Sequence, residues 1–390
     1  MNILVLGGCG IQGRTTLYDL ALDPKITRII CADIRFDDLD QIRPFTDMRK
    51  ISTVPLDARD KTALVNLYNE ADMVIDLLPK DFKQYVYEAA LETGRNVVNT
   101  NYAHDIFDLD RRAKDAGIAI MPECGLDPGI DLVIYGDARR RFDTLTLINS
   151  YCGGFPEKTA CTNPLNYKLS WIWRGVLSAT KRSGRIIRDG RVVDVPGERQ
   201  HDPEFIHSVD FPGLGTLEAV PNGDAVHFTD LLGVTETIRE TGRYSLRWPG
   251  WSDFWRPMKA LGFLDEEPVE GFDCRITPFD FLDKFLGPKL AYRDDEKDLT
   301  AMINVFEGLM DGKPTRLTST MLIERDLETG IMAMSKGVGY TAAIVARMIA
   351  SGEITEKGVL SPLVHIPVDR FMAELKDRGI RIEEKTTVLD

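Results

Sequence analysis

The sequence predicts an α/β protein: a Rossmann-type, doubly wound parallel sheet with a second α+β domain for substrate binding and dimerisation. Three observations carry this. A short apolar run, Ile3–Leu6, enters Gly8-x-Gly10-x-x-Gly13 and is followed by a helix-like segment, Arg14–Ala21. A second apolar run, Ile26–Ala32, ends in Asp33, about twenty residues beyond the glycines, the spacing of a dinucleotide fingerprint. Strand-like and helix-like segments then alternate through the first third of the chain, a rhythm that builds parallel sheets.

Each element has its reason. Ile3–Leu6 is apolar on both sides, as a buried parallel strand must be. Gly8 permits a tight turn, Gly10 lets backbone approach a pyrophosphate, and Gly13 lets the helix pack closely on the strand. Ile11 and Gln12, inside the glycine loop, are read with it as cofactor-binding, and the N-terminus of the following helix faces the phosphates. Asp33 is placed to bond the adenosine ribose hydroxyls, which favours NAD. Arg35 is either a partner for the 2′-phosphate of NADP or a solvated surface arginine, so NADP stays open.

A third strand, Ile51–Leu56, ends at Asp57, and a helix over Lys61–Asn69 follows. Ala71–Leu78 is the next strand, closed by Pro79, and Phe82–Thr93 is a helix stopped by Gly94. Asn96–Asn99 is a strand, Ile106–Ala116 a helix, and Ile118–Met121 a strand entering Pro122–Gly129. Ligands of such sheets gather at the carboxyl ends of the strands. That rule assigns Asp57, Leu78 and Pro79 to the cofactor and Asn101, Tyr102 and His104 to the reacting end.

The rhythm changes near residue 130. Leu145–Tyr151 reads as a strand leading into Cys152-Gly-Gly-Phe-Pro156, and Arg185–Val195 as a hairpin turning at Asp189-Gly190. Further strands are expected at Leu217–Val220, Val234–Ile238, Tyr244–Trp248 and Leu317–Ile323. Trp255–Leu290 reads as irregular helices, and Asp294–Glu296 as a charged linker without a function. Val338, Ala342, Val345, Ala346 and Ile349 recur at helical spacing. Gly337 and Gly339 at that helix's start mark either a close backbone or cofactor approach or an ordinary turn. The nucleotide domain is expected over residues 1–130 and the second over 131–334.

Composition narrows the function. A net charge of −13 argues against a nucleic-acid-binding surface. No run of eighteen apolar residues offers a membrane span, and the start lacks a basic leader. Six scattered cysteines without C-x-x-C spacing and five histidines give no metal site and point to reduced thiols in a cytoplasmic protein.

Gly125-Leu-Asp-Pro-Gly-Ile-Asp131, Cys152-Gly-Gly-Phe-Pro156 and Asn163-Pro-Leu-Asn-Tyr-Lys-Leu-Ser-Trp171 resemble, in this order, saccharopine dehydrogenases of the glutamate-forming type. The resemblance continues through Arg174–Leu177, Thr237–Gly250 and Lys336–Pro362, and extends to lysine 6-dehydrogenase. It implies a nicotinamide-dependent oxidoreductase acting at a carbon–nitrogen bond of an amino acid, a return of residues 335–390 to the nucleotide domain, and a homodimer supported by the second-domain sheet. Two positions depart from the pattern: Asn101 stands where a serine usually precedes the tyrosine, and Leu132 where histidine is frequent. The substrate therefore stays open between saccharopine, lysine and other opine- or polyamine-type imines. A non-catalytic NAD(P) sensor is the rival of another class.

Amine oxidation needs a neutral nitrogen, a proton acceptor and cations for substrate carboxylates. Asp127 is either an N-cap or, as the resemblance implies, a residue touching substrate. Asp131 fits a first helical turn, where acids complement the dipole. Tyr102 and His104 are further acid–base candidates, and Lys168 can bind a carboxylate or act as a base when desolvated. Arg243 and Arg247 lie four apart on a strand, hence on one face. Two guanidiniums on one face suit a dicarboxylate, with a salt-bridged sheet face as the alternative. Asn101 and Cys152 complete the expected substrate lining.

Overall fold

In the computed structural model of the chain, residues 1–103 and 106–389 are described. They form two compact units. The first comprises residues 1–137, 328–331 and 335–381, and the second residues 138–327, 332–334 and 382–390.

The first unit alternates strand and helix: β1 (Asn2–Leu6), α1 (Ile11–Leu22), β2 (Arg28–Asp33), β3 (Ile51–Pro55), α2 (Lys61–Asn69), β4 (Met73–Asp76), α3 (Lys83–Thr93), β5 (Val97–Asn99), α4 (Asp110–Asp115), β6 (Ala119–Met121) and α5 (Ile130–Arg141). A later two-residue strand, Gly358–Val359, joins β6, giving seven strands in the order Gly358–Val359, β6, β5, β4, β1, β2, β3. Every pairing in this sheet is parallel. The central strands β1, β2 and β4 are mostly apolar because they are buried: Leu4, Leu6, Ile30 and Val74 pack with Leu64, Val86 and Ala89 of the helices. The order reverses between β1 and β4, so a crevice opens there at the carboxyl ends.

The C-terminal helix Thr341–Ala350 belongs to the first unit. It follows a π-helical turn, Lys336–Tyr340. A Cβ at Gly339 would lie 2.9 Å from the Gln12 carbonyl oxygen, and one at Gly337 2.9 Å from Leu126. These two glycines thus serve a close approach to the body of the nucleotide unit, the first of the two readings open from sequence.

The second unit holds a nine-stranded mixed sheet around β7 (Thr144–Pro156). A hairpin of β8 (Gly184–Arg188) and β9 (Arg191–Val195) flanks it, followed by β10 (His207–Phe211), β11 (Gly215–Pro221), β12 (Glu240–Arg247), β13 (Asp298–Met310) and β14 (Lys313–Glu324). Residues Ile382–Val388 add the last strand, antiparallel to β14. The sequence places that tail in the nucleotide domain, but its run of polar, exposed residues, Glu383–Thr387, suits a solvated edge strand. Two further expectations fail. Val234–Ile238 is a turn rather than a strand. Strand β13 went unrecognised, because Leu299, Ala301 and Ile303 face one side while Met302 and Phe306 are buried on the other, which erases the alternation. No helix among the described residues is long and apolar enough to cross a membrane.

Candidate active site

In the first unit, β1 delivers the chain to the glycine turn. The left-handed residue is Gly7, with φ +72°, one position before the glycine that sequence reasoning gave this task. Gly10 N–H closes the turn onto the Gly7 carbonyl at 3.1 Å. A Cβ on Gly13 would lie 2.6 Å from Gly8 Cα, so α1 sits directly on the turn. Ile11 and Gln12 are the first two residues of α1 and half-buried. The helix N-terminus presents amide N–H groups and a positive dipole end, as a pyrophosphate requires.

Asp33 stands at the end of β2. Its Oδ2 accepts the Cys9 N–H at 2.9 Å and its Oδ1 the Ile34 N–H at 2.7 Å. Two backbone amides therefore fix this carboxylate against the glycine turn. Arg35 is exposed, and Asp37, Asp38 and Asp40 follow it in the same loop. Asp57 has an internal partner: its carboxylate accepts the N–H and Nε–H of Arg59, both at 3.0 Å, in an exposed turn.

The loops after β4, β5 and β6 form the other half of this edge. Leu78 is half-buried and Pro79 exposed. Asn101, expected to bind substrate, donates its side-chain amide to the Leu78 carbonyl at 3.3 Å, so it ties one loop to the other. Tyr102 is half-buried. His104 lies outside the described residues. Asp127 is half-buried and joined to Pro128 by a cis peptide. The helix starts at Ile130 rather than Pro128, and the Asp131 carboxylate accepts the Gly129 N–H at 2.8 Å.

Asp131 is fully buried. Burial pushes its pKa up to about 8, against the pull of backbone bonds from Gly129 and Leu132 and with a further push from Glu123. Asp76 is likewise buried, and burial raises it to about 7 against bonds from Leu78 N–H and Asn99. Sequence reasoning passed over Asp76, although an acid inside an otherwise apolar strand was the available signal.

In the second unit, one buried face of the sheet is apolar and the other mixes polar with apolar side chains. Tyr151, Phe155, Leu217, Ala219, Tyr244, Leu246, Ala301 and Ile303 form the apolar one. The opposite face carries a row across four strands: Arg243 opposite Ser150, Ser150 opposite Asn304, and Asn304 opposite Ser319. Cys152 lies in the next row, opposite Ser245 and Met302, and is buried. Arg243 and Arg247 share this face. Both are buried, at 2% and 7% exposure, where a surface salt-bridge ladder would leave them solvated.

Arg243 stacks on Phe228 at 4.4 Å from its ring centre. Arg247 lies 5.3 Å from Tyr167 and 5.0 Å from Trp251, and one of its terminal nitrogens donates to the Leu246 carbonyl at 2.7 Å. Glu218 is the cross-strand partner of Arg247, but its carboxylate accepts the Gly250 and Ser252 N–H groups and forms no ion pair with the guanidinium, whose Nε has no acceptor. Burial lowers its pKa from the ordinary value. A guanidinium buried this way is costly unless an anion reaches it.

Lys168 is different. The Asn163 side chain shapes its loop, accepting Leu165 N–H at 3.0 Å and donating to the Tyr167 carbonyl at 2.8 Å. The Lys168 ammonium then meets both Glu296 oxygens, at 2.5 and 2.6 Å, with both residues buried. That corrects one expectation: Glu296 is a core partner rather than linker. Lys168, a candidate carboxylate receptor or base from sequence, is held by an internal carboxylate. The pair spans 128 residues of chain, so no local pattern could reveal it. Asp298, also missed, is buried, accepts Ala333 and Met334 N–H, and has its pKa raised by burial to about 6. No group of three or more His, Cys, Asp or Glu able to hold a metal occurs among the described residues.

Comparison with known proteins decides the family. Residues 3–121 match the saccharopine dehydrogenase NADP binding domain, and residues 125–380 the saccharopine dehydrogenase C-terminal domain. The chain belongs to the saccharopine dehydrogenase family. This saccharopine dehydrogenase family member is 29% identical to saccharopine dehydrogenase [NADP(+), L-glutamate-forming] of Saccharomyces cerevisiae over 99% of both chains. It is 29% identical to the Pyricularia oryzae enzyme of the same name, over 85% of this chain and 88% of that one. The solved apo structure of the Saccharomyces cerevisiae enzyme superposes with a TM-score of 0.85 and 26% identity, covering 99% of each chain. The chain is accordingly an oxidoreductase of the saccharopine dehydrogenase type, with a Rossmann-like nucleotide-binding unit.

Proposed function

We propose that this protein oxidises the secondary amine of a dicarboxylate-bearing amino acid, saccharopine, with NAD as its preferred cofactor. The observation that carries the substrate class is Arg247, a buried guanidinium on the same sheet face as Arg243 and without an ion pair among the described residues. Guanidinium groups bind carboxylates in a fixed, bidentate geometry, so this pair of arginines suits a substrate carrying carboxylates. Relatives named as saccharopine dehydrogenases support the same choice.

Bound dinucleotide supplies the hydride acceptor for the carbon next to the substrate nitrogen. The chain's residues do the rest. The glycine turn and the α1 N-terminus hold the pyrophosphate, and Asp33 meets the adenosine ribose. Arg243 and Arg247 orient the substrate, with Cys152 beside them. Asp127 takes the proton that leaves the amine, assisted by Tyr102 and His104, and then serves the water that hydrolyses the imine.

The preference for NAD rests on Asp33. Its carboxylate, fixed by the Cys9 amide, opposes the charge of a 2′-phosphate, and three further acids follow in the same loop. The named relatives use NADP, so the preference sets this chain apart from them. The homodimer and the cytoplasmic location expected from sequence stay within the same proposal. The test is initial-rate spectrophotometry at alkaline pH with saccharopine or lysine and with NAD or NADP. Turnover of saccharopine, faster with NAD, is the expected result. Turnover of lysine alone overturns the substrate, and a faster rate with NADP overturns the role of Asp33.

A further inference from the structure

Beneath the ligand edge of the nucleotide unit, four residues close a ring of hydrogen bonds. Asp76 Oδ1 accepts the Leu78 N–H at 3.0 Å, and its Oδ2 accepts the Asn99 side-chain amide at 3.1 Å. Asn99 Oδ1 accepts the Asn101 N–H at 2.8 Å, and the Asn101 side chain returns to the Leu78 carbonyl at 3.3 Å. The ring joins the loop after β4 to the loop after β5. Two backbone bonds extend it to the loop after β6: Cys124 N–H to the Asn99 carbonyl at 2.9 Å and Glu123 N–H to the Asn101 carbonyl at 3.1 Å.

Both Asp76 oxygens accept in the ring, so both of its partners donate. That turns the Asn99 nitrogen toward Asp76 and leaves its oxygen for Asn101. The Asn99 nitrogen also lies 2.7 Å from the Tyr87 hydroxyl on α3. Asp76 and Asn99 are each 1% exposed, so water offers no substitute partner.

The place of the ring gives it a ligand. Strand β2, with Asp33, lies on one side of β1, and β4 and β5 lie on the other. A dinucleotide bound across this reversal keeps its adenosine on the Asp33 side and sends its nicotinamide toward β4 and β5. We propose that Asp76 and Asn99 are positioning residues for the nicotinamide half, holding the backbone of Leu78 and Asn101 in the geometry that receives it. The inference rests on dinucleotide binding as read above and is independent of the amino-acid substrate.

The ring also defines its own rescue. Asp76→Asn cannot satisfy every partner: accepting from Leu78 sets its nitrogen against the Asn99 nitrogen, and flipping Asn99 sets that nitrogen against Asn101 N–H. Asn99→Asp breaks the ring as well, by facing two carboxylates. The exchange Asp76→Asn with Asn99→Asp restores it: residue 76 and the Tyr87 hydroxyl donate to one oxygen of residue 99, whose second oxygen accepts from Asn101 N–H.

The experiment is calorimetric titration of the full chain with NADH and with ADP, or with NADPH and 2′-phospho-ADP if the wild type binds that cofactor more tightly. Each single variant should weaken the reduced dinucleotide about tenfold and leave the adenosine fragment within about twofold. The exchange should return the dinucleotide to within about threefold of wild type. Unchanged dinucleotide binding in the single variants overturns the proposal. So does equal weakening of dinucleotide and fragment, which marks a general structural role. Where a single variant does not fold, the exchange carries the test: a wild-type ratio of the two affinities supports the proposal, and a ratio about tenfold lower overturns it. No amino acid enters these titrations, so failure to turn over saccharopine leaves the result unaffected.

Discussion

The glycine turn and the arginine-bearing face of the second sheet are built in opposite ways. The turn works through backbone. Gly7, Gly10 and Gly13 let main chain pack against main chain, and Asp33 is held by two amide N–H groups. The arginine-bearing face works through long side chains from separate strands and loops. Its two regions of buried positive charge are not equivalent. Lys168 is neutralised by Glu296 within the fold, whereas Arg247 packs on Tyr167 and Trp251 and forms no ion pair among the described residues, although Glu218 stands opposite it on β11. A backbone site is specified by local sequence. In a side-chain site, a charged residue reveals whether it is structural or receptive only once its partners are known.

Breaking the internal pair should give the largest effect. Lys168→Met leaves buried Glu296 with only the exposed Arg293 guanidinium, at 3.2 Å, as a cation and should lower unfolding stability by up to about 3–5 kcal/mol. The double variant Lys168→Met with Glu296→Gln should recover part of that loss and retain turnover, as measured by chemical denaturation and initial rates. A stable Lys168→Met protein without turnover would return Lys168 to the chemistry.

Arg247→Met sharpens the same contrast. Here a fixed receptor charge is removed instead of a neutralised one, and the protein should fold. Its kcat/KM for saccharopine should fall by the equivalent of about 2–5 kcal/mol, with NADH affinity unchanged. Steady-state kinetics beside fluorescence titration of NADH separates the two readings, and loss of stability without a kinetic effect would make Arg247 a core residue.

The smallest effect concerns the nucleotide unit. Asp131 has its folded pKa raised to about 8, above its ordinary carboxyl value. Between those two values the unfolded chain has released the proton and the native state has kept it. Stability therefore falls as pH rises toward 8 and levels off above. The greatest slope for one such group is about 1.4 kcal/mol per pH unit. Asp76, raised to about 7, adds to the slope below that pH, so the interval from pH 7 to 8 reports mainly Asp131. Asp131→Asn should flatten the dependence of Tm on pH there. An unchanged slope would show that Asp131 is ionised throughout.

These contrasts explain how much was legible in the sequence. The parallel sheet, its strand ends and the glycine fingerprint were readable, because each depends on residues within about twenty positions of one another. The pairing of Arg243 and Arg247 on one face followed from strand parity alone. What stayed hidden depended on long-range partners. Glu296 looked like linker until Lys168, 128 residues away, was seen on it. Strand β13 is buried on both faces and offered no alternation. The tail over Ile382–Val388 could be placed only through its pairing with β14. Asn101 belonged to the expected edge, but its bond to the Leu78 carbonyl depends on how two loops fold back.

The measurement that bears most directly on the central claim is the ratio of kcat/KM for saccharopine to that for lysine in the wild-type protein, at saturating NAD. If the buried arginines receive substrate carboxylates, saccharopine is turned over and lysine, with one carboxylate, is slower by at least about a hundredfold. Lysine turned over as fast as saccharopine, or faster, would contradict the account.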